Sequence, residues 1–213
     1  MTARRFAAPL LGLAMLATGC STGVAGQEPA GNVSPSSAWH GRVPDKPMPR
    51  PSFTLTDTAG RSYDFGAATR GRGTLVFFGY TNCPDICPTT MAGIASALRQ
   101  VPQDVRAKVT VVFVTTDPRR DTGPVLRRWL NRFNPSFVGL TGSDAQVAGA
   151  ERLVGVPLAE KEEVPGSGYS VTHSARVTAY GADDRAHVLY VADARASDYR
   201  ADLPLLVEKR PPE

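Results

Sequence analysis

The sequence of 213 residues lacks the features that mark several large classes of protein. It contains no internal repeat, and after its N-terminus no apolar run is long enough to span a bilayer as a helix. It has no basic run with interleaved aromatic residues, which argues against nucleic acid as a partner. No serine–histidine–aspartate arrangement, phosphate-binding loop or paired-carboxylate motif stands out. Only three cysteines and three histidines are present, so any site built from thiols and imidazoles must draw on these six residues.

The N-terminal segment has the residue order of a secretory signal peptide. Arg4 and Arg5 precede an apolar stretch over residues 6–16, and small residues then lead directly to Cys20. A cysteine at this point resembles a bacterial lipobox, in which the thiol is acylated and becomes the mature N-terminus. The alternative is an ordinary signal peptide that leaves a free thiol. The Arg4-Arg5 pair is compatible with twin-arginine export as well as with the general secretory route. We expect residues 1–19 to be a lipoprotein signal peptide and Cys20 to anchor the protein on the extracytoplasmic face of the cell membrane.

The segment after Cys20 is rich in glycine, serine and proline, which is typical of an extended tether. We therefore predict a flexible tether over residues 20–51, with Trp39 and His40 as incidental linker residues, and a folded domain over residues 52–213. Removal of residues 1–19 lowers the net charge from +4 to +2, because two arginines and no acidic residues are lost. This near balance again gives no reason to expect nucleic-acid binding.

The domain alternates between predicted strands and helices. Near-continuous apolar strands over residues 74–80 and 109–114 are typical of central strands covered on both faces. The predicted helices cover residues 88–100, 122–134, 143–154 and 197–209, a long loop covers residues 155–168, and residues 171–180 and 187–193 form a predicted hairpin. This order predicts an α/β protein with a thioredoxin-like fold, an inserted αβ unit and a C-terminal β-hairpin plus helix.

A pair of cysteines lies between the first buried strand and the following helix. Cys83 and Cys87 each precede a proline, which biases both away from helical backbone angles and predicts a fixed turn. The helix N-terminus that follows favours the thiolate form of nearby sulfur. Three residues separate the cysteines instead of the two in thioredoxin-type reductases, so the turn can place both sulfurs on a soft metal ion, Cu(I) or Zn(II), and still allow a disulfide. Asp85 within this loop either tunes the sulfur electrostatics or simply forms the turn.

His173 is the candidate for a third, nitrogen ligand. In a continuous strand it shares an apolar face with Val171, Ala175 and Val177, where a polar imidazole requires a bonding partner. The alternative is a core histidine bonded to the backbone, but the cysteine pair favours a ligand. We interpret His187 as an edge or turn histidine.

Three segments together resemble the Sco/SenC family of copper-binding assembly proteins. They are residues 78–90 (FGYTNCPDICPTT), 114–122 (VTTDPRRDT) and 171–174 (VTHS). The resemblance implies a thioredoxin-like fold, copper held by Cys83, Cys87 and His173, and delivery of copper to the dinuclear copper site of cytochrome c oxidase. Asp117 and Asp121 match acidic positions near that site. The sequence departs from the family at Asn82, where many relatives have histidine, and at residues 179–182, where the strand end is less apolar.

Two functions remain open at this point. One is a metallochaperone that receives copper from an upstream donor and passes it to the copper-site subunit of the oxidase. The other is a thiol–disulfide oxidoreductase that reduces the cysteines of that site or other exported thiols. Both use Cys83 and Cys87, but only the chaperone needs His173. We expect a copper carrier in preference to an enzyme with turnover.

Overall fold

The computed structural model describes residues 38–164, 166 and 168–208, so the predicted leader and Cys20 lie outside the described residues. The strands are β1 (Met48–Pro49), β2 (Thr54–Asp57), β3 (Ser62–Asp64), β4 (Gly73–Gly79), β5 (Val109–Thr115), β6 (Val138–Thr141), β7 (Glu160–Val164), β8 (Gly168–Thr172), β9 (Val177–Tyr180) and β10 (Arg185–Tyr190). The helices are α1 (Phe65–Thr69), α2 (Ile86–Gln100), α3 (Gln103–Arg106), α4 (Gly123–Asn131), α5 (Asp144–Val154) and α6 (Ala196–Leu206). None of the helices in this part of the chain is both long enough and apolar enough to cross a bilayer.

A mixed sheet of eight strands forms the centre of the domain. Its strand order is β1-β10-β9-β4-β5-β6-β2-β3, with β4, β5 and β6 parallel and the outer strands antiparallel. All seven residues of β4 are buried. Leu75 and Phe77 belong to one apolar cluster, whereas Val76 and Phe78 belong to a second. Because successive side chains of a strand point to opposite faces, the two clusters are the cores on the two faces of the sheet.

Several local predictions are confirmed. Helix α2 covers the predicted helix after the cysteine loop, and Leu126, Trp129 and Leu130 form the buried face of α4. Helix α5 starts with the predicted capping box, in which the Ser143 Oγ accepts from the Gln146 main-chain N–H at 3.2 Å while the Gln146 Oε1 accepts from the Ser143 N–H at 2.8 Å. The reciprocal bonds satisfy two donors that a helix start otherwise leaves without partners.

Two predictions around the third candidate ligand are wrong. The predicted loop 155–168 contains β7, which pairs with β8 in a separate two-stranded hairpin. The predicted strand 171–180 is interrupted, because β8 ends at Thr172 and β9 begins at Val177. In the interruption the Ser174 Oγ accepts from the Arg176 N–H, a local bond that competes with strand pairing.

The end of the predicted tether packs on the domain. We call residues 38–49 the strap. Trp39 is only 5% exposed and belongs to the core, and the main-chain N–H and ring of His40 both contact the buried Asp202 carboxylate. Arg42 pairs with Leu189, and β1 extends the sheet at β10. The folded domain of the described residues therefore begins before residue 52, because individual strap side chains find buried partners despite the linker-like composition.

Candidate metal centre

The two cysteines lie where β4 ends and α2 begins. The Cys83 N–H donates to the Tyr80 carbonyl at 3.2 Å, which fixes the turn after the strand. Cys87 is the second residue of α2, not part of the turn as the prolines predicted, because Pro88 falls in the first helical turn where no N–H is required. Cys83 is half-buried and Cys87 is fully buried, and both are free thiols. The Cys87 N–H donates to the Cys83 Sγ at 3.5 Å, so the helix start offers a donor to this sulfur.

Gly79 makes room for the buried sulfur. A Cβ atom at this position would lie 2.5 Å from the Cys87 Sγ and 3.2 Å from the ring of Phe113. Nothing in the sequence marks Gly79 as a packing residue beyond its place directly before the cysteine loop. Its role is visible only when the strand and the helix are packed together.

His173 completes the group from the interruption between β8 and β9. Its Nε2 lies 3.3 Å from the Cys87 Sγ, and its Nδ1 lies 3.0 Å from the Ser174 carbonyl oxygen. Because a carbonyl can only accept, Nδ1 carries the proton and Nε2 presents its lone pair to the sulfur. Edge contacts to the rings of Phe77 and Tyr80, at 5.9 and 5.5 Å between centroids, hold the imidazole.

The arrangement is suited to a soft metal ion. The Cys83 sulfur, the Cys87 sulfur and a ring nitrogen of His173 all lie within 4.8 Å of one another. Burial lowers the pKa of His173, which keeps the imidazole neutral and able to donate its lone pair at neutral pH. Burial, and then the nearby Cys83 charge, raise the pKa of Cys87, so a metal must displace its proton to bind. Two sulfurs and one nitrogen form a ligand set that would suit Cu(I) or Zn(II).

The comparisons with known proteins agree with this geometry. The model of the family SCO1/SenC matches residues 43–208, which is more than half of the chain. This chain belongs to the SCO1/SenC family. A relative from Stutzerimonas stutzeri, whose name describes copper binding, is 37% identical over 121 residues, which cover 56% of this chain and 59% of the relative. The chain matches about half the length of the first curated relatives.

Two solved structures of Sco proteins share the fold of this chain. Bradyrhizobium japonicum ScoI with copper bound is 31% identical, with a TM-score of 0.67 over 75% of this chain and 99% of that chain. Apo Sco1 from Thermus thermophilus is 32% identical, with a TM-score of 0.70 over 80% of this chain and 98% of that chain. The predicted thioredoxin-like α/β fold is confirmed by these neighbours.

In this SCO1/SenC protein, Asp121 ties the cysteine loop to the end of β5. Its buried carboxylate accepts from the Thr81 N–H at 2.9 Å, the Thr81 hydroxyl at 2.5 Å and the Thr115 hydroxyl at 2.7 Å. It does not hydrogen-bond to either sulfur. Its charge is a minor contributor to the raised pKa of Cys87, after burial and Cys83.

Asp117 joins the hairpin of β7 and β8 to the loop after β5. Its buried carboxylate accepts from the Tyr169 hydroxyl at 2.6 Å and from the Arg120 guanidinium. The Arg120 guanidinium also donates to the Tyr169 carbonyl at 3.1 Å and lies 4.0 Å from the centroid of the Tyr169 ring. We call Asp117, Arg120 and Tyr169 the clasp. The clasp holds the strand that leads into His173. The roles of Arg120 and Tyr169 were not predicted from the sequence, because their contacts depend on the unpredicted hairpin.

The remaining candidates lie outside the metal group. Asp85 is exposed at the start of α2, where its carboxylate accepts from the Thr89 hydroxyl at 3.3 Å and makes no capping bond to the helix. His187 is only 7% exposed, bonds to Asp183 at 2.8 Å and stacks on Trp39, so it is a buried residue of β10 and not the predicted edge histidine.

Proposed function

We propose that this protein binds one copper ion through Cys83, Cys87 and His173 and delivers it to the dinuclear copper site of cytochrome c oxidase during assembly. The observation that carries the proposal is the convergence of two sulfurs and one neutral imidazole at the end of β4. Thiolates select Cu(I) or Zn(II), and imidazole suits copper as well as zinc. Family membership, and relatives whose names and structures describe bound copper, favour copper over zinc.

Unequal exposure of the ligands suits a carrier. Cys87 is buried beside Gly79 and contacts the half-buried His173, whereas Cys83 is itself half-buried. A ligand from the receiving protein would reach the copper beside Cys83, the more exposed of the two cysteines. The protein ligands then leave in turn, so copper is transferred without a free ion.

A second candidate is the thiol–disulfide oxidoreductase, which the proximity of the Cys87 N–H to the Cys83 Sγ favours. In that reaction the Cys83 thiolate attacks a partner disulfide, and Cys87 then displaces the partner from the mixed disulfide. The partner gains two electrons, a Cys83–Cys87 disulfide remains, and an exported thiol reductant must restore it. The raised pKa of Cys87 slows its attack because only the thiolate is nucleophilic. A metal ion can displace that proton by binding, so the structure of the pair favours the carrier.

The location and partners follow from the same proposal. Acylation of Cys20 would keep the domain at the extracytoplasmic face of the membrane, beside the copper-site subunit of a membrane-bound oxidase. An upstream donor supplies the copper. We infer residues 20–37 as the spacer, since the strap is part of the domain.

Copper titration separates the two functions. We expect His173→Ala to weaken Cu(I) binding of the reduced full chain by more than the roughly 10–100-fold typical of residues that only support a ligand. The Cys83–Cys87 disulfide should still form, because the imidazole takes no part in that bond. Competition against a Cu(I) chelator under anaerobic conditions measures the affinity, and thiol titration after mild oxidation measures the disulfide.

His40→Ala is the matched control, since His40 is exposed and outside the metal group. It should bind Cu(I) within about twofold of the wild type, well inside the change expected of a ligand. Unchanged copper affinity in His173→Ala, with oxidase assembly still dependent on both cysteines, would replace the carrier with the oxidoreductase.

A further inference from the structure

A cavity of about 820 Å³ opens at the N-terminal ends of the parallel strands β4, β5 and β6, away from the metal group. Arg72, which precedes β4, lines it together with Val109 at the start of β5 and Val138 at the start of β6. Cys83 and Cys87 of the metal group follow the other end of β4, which is seven residues long. At about 3.3 Å per residue, roughly 20 Å separate the two ends. The cavity is therefore a separate feature that no step of copper binding uses.

All charged residues that line the cavity are positive. Arg72, Arg99 and Arg106 line it, and none of its lining residues is aspartate or glutamate. The Arg72 guanidinium is held in place because it donates to the Thr110 hydroxyl at 2.8 Å and to the Ala107 carbonyl at 2.7 Å. Arg99 and Arg106 are exposed and form no ion pair within the described part of the chain. Three guanidinium groups thus share one concave space without an acidic partner.

Neutral polar groups add donors to the same wall. The Asn134 Oδ1 already accepts from the Ser136 N–H and hydroxyl, both at 2.9 Å, which leaves the amide nitrogen with two donors. Gln103 also lines the cavity. A site with one anchored and two exposed cationic donors, neutral donors and no acid is complementary to a ligand that carries several acceptor oxygens.

We propose that this cavity binds a phosphate-bearing polyanion. Guanidinium groups pair with phosphate through parallel N–H donors, and three of them match a ligand with more than one negative charge. The phosphate can belong to a soluble compound or to the headgroup of an anionic phospholipid, and the chemistry recognised is the same. Because the cavity and the cysteines lie at opposite ends of β4, the protein can bind copper and the polyanion at the same time.

The positions of two arginines supply the competing explanation. Arg99 lies in the last turn of α2 and Arg106 in the last turn of α3, where a cation interacts favourably with the helix C-terminus. If this is their whole role, they stabilise the helices and bind nothing. Removing both charges distinguishes the explanations, because a helix-end role predicts lower stability without any loss of ligand.

Calorimetric titration of the full chain with pyrophosphate, at low ionic strength, tests the proposal. We expect saturable binding that Arg99→Gln with Arg106→Gln weakens by more than tenfold. The matched control is Arg128→Gln with Arg132→Gln, which removes the same charge from exposed positions outside the cavity and should change the affinity by less than twofold. Cu(I) affinity should be equal in all three proteins, so failure here is distinct from failure of the copper site.

A second titration identifies the source of the phosphate. Dihexanoylphosphatidic acid, kept below its micelle concentration, presents a phosphate monoester that carries more than one negative charge near neutral pH, and dihexanoylphosphatidylcholine is the zwitterionic control. Tighter binding of the phosphatidic acid than of pyrophosphate supports the lipid source, and the reverse supports a soluble polyanion. Absence of binding to both anionic probes, or equal loss in the cavity and control variants, overturns the proposal.

Discussion

Gly79 controls the position of a metal ligand at the scale of a single residue. An added methyl group would lie 2.5 Å from the Cys87 sulfur, and β4, with all seven residues buried, has little freedom to move away. We expect Gly79→Ala to lower the free energy of unfolding by about 1–3 kcal/mol, as for other overpacked cores. It should also weaken Cu(I) binding, because the sulfur must shift relative to His173. Thermal unfolding and chelator competition measure the two effects.

Gly149→Ala serves as the control for this substitution. Gly149 lies within α5, and an added Cβ there meets no atom within 4 Å. Alanine is the better helix former, so this variant should be more stable by up to about 1 kcal/mol, with unchanged copper affinity. Equal copper affinity in Gly79→Ala and the wild type would show that the Cys87 sulfur does not depend on the space beside Gly79.

The protonation of the ligands predicts how copper affinity depends on pH. Burial raises the pKa of Cys87, so its thiol is protonated at neutral pH and copper must release that proton. Burial lowers the pKa of His173, so the imidazole adds no competing proton above about pH 6.5, its ordinary value. Apparent Cu(I) affinity should therefore rise with pH between about 6.5 and 8.5, by about tenfold per unit for each proton released.

Calorimetry in buffers of different ionisation enthalpy counts these protons. In Cys87→Ala the proton of Cys87 is absent, and the number released should fall by about one, as linkage requires. A copper affinity that does not change with pH over this range would contradict the release of a Cys87 proton on copper binding.

At the scale of elements, the clasp connects the hairpin to the domain. The hydroxyl of Tyr169 stays a donor because burial, and then its bond to Asp117, raise its pKa. Tyr169→Phe leaves the buried Asp117 carboxylate with one partner fewer, at a cost of about 1–3 kcal/mol. We expect faster hydrogen exchange in β7 and β8, unchanged exchange in β4, and weaker copper binding because β8 leads into His173.

Tyr63→Phe is the matched control for the loss of a hydroxyl. No hydrogen bond of the Tyr63 side chain is present among the described residues, so this change should leave the exchange of β7 and β8 unaltered. If Tyr169→Phe also leaves the hairpin and the copper affinity unaltered, the clasp does not position the metal site.

Some helices and strands could be predicted from the local sequence better than others. The central strands and α2 follow from apolar runs bounded by turn residues, and α5 follows from its capping box. The motifs also identify the three residues that the fold brings together, although the strand predicted through His173 is interrupted. The sequence motifs therefore predicted which three residues meet, but not that His173 lies between two strands.

The missed features depend on contacts that no local pattern reveals. All residues of β7 are exposed, so the strand has no alternation of buried and exposed positions to mark it. The strap has the proline content of a linker, yet Trp39, His40, the pairing of Arg42 with Leu189, and β1 hold it on the domain. The space beside Gly79 and the clasp each require two distant segments to be packed before they exist.

At the scale of the whole molecule, the parallel strands separate two sites. The two cysteines of the metal group follow the C-terminal end of β4, and the basic cavity lies at the N-terminal ends of β4 and β5. The strap runs beside β10, from Arg42 at Leu189 to Pro49 at Arg185. The proposed anchor at Cys20 therefore precedes a segment that is fixed to the domain, so only the chain before the strap can act as a spacer.

The anchor gives the last prediction, which separates location from chemistry. Cys20→Ser should release the protein from the membrane fraction or block its processing, since the thiol is the proposed acylation site. Copper affinity of the purified variant should match the wild type, because the copper ligands are far along the chain. Oxidase activity at limiting copper should nevertheless fall, since tethering raises the effective concentration of carrier at a membrane-bound acceptor. His173→Ala should show the opposite combination, a membrane-bound protein that fails in oxidase assembly. A Cys20→Ser protein that stays in the membrane fraction, or a wild-type mature mass without a lipid adduct, would contradict acylation of Cys20 and leave the copper site unaffected.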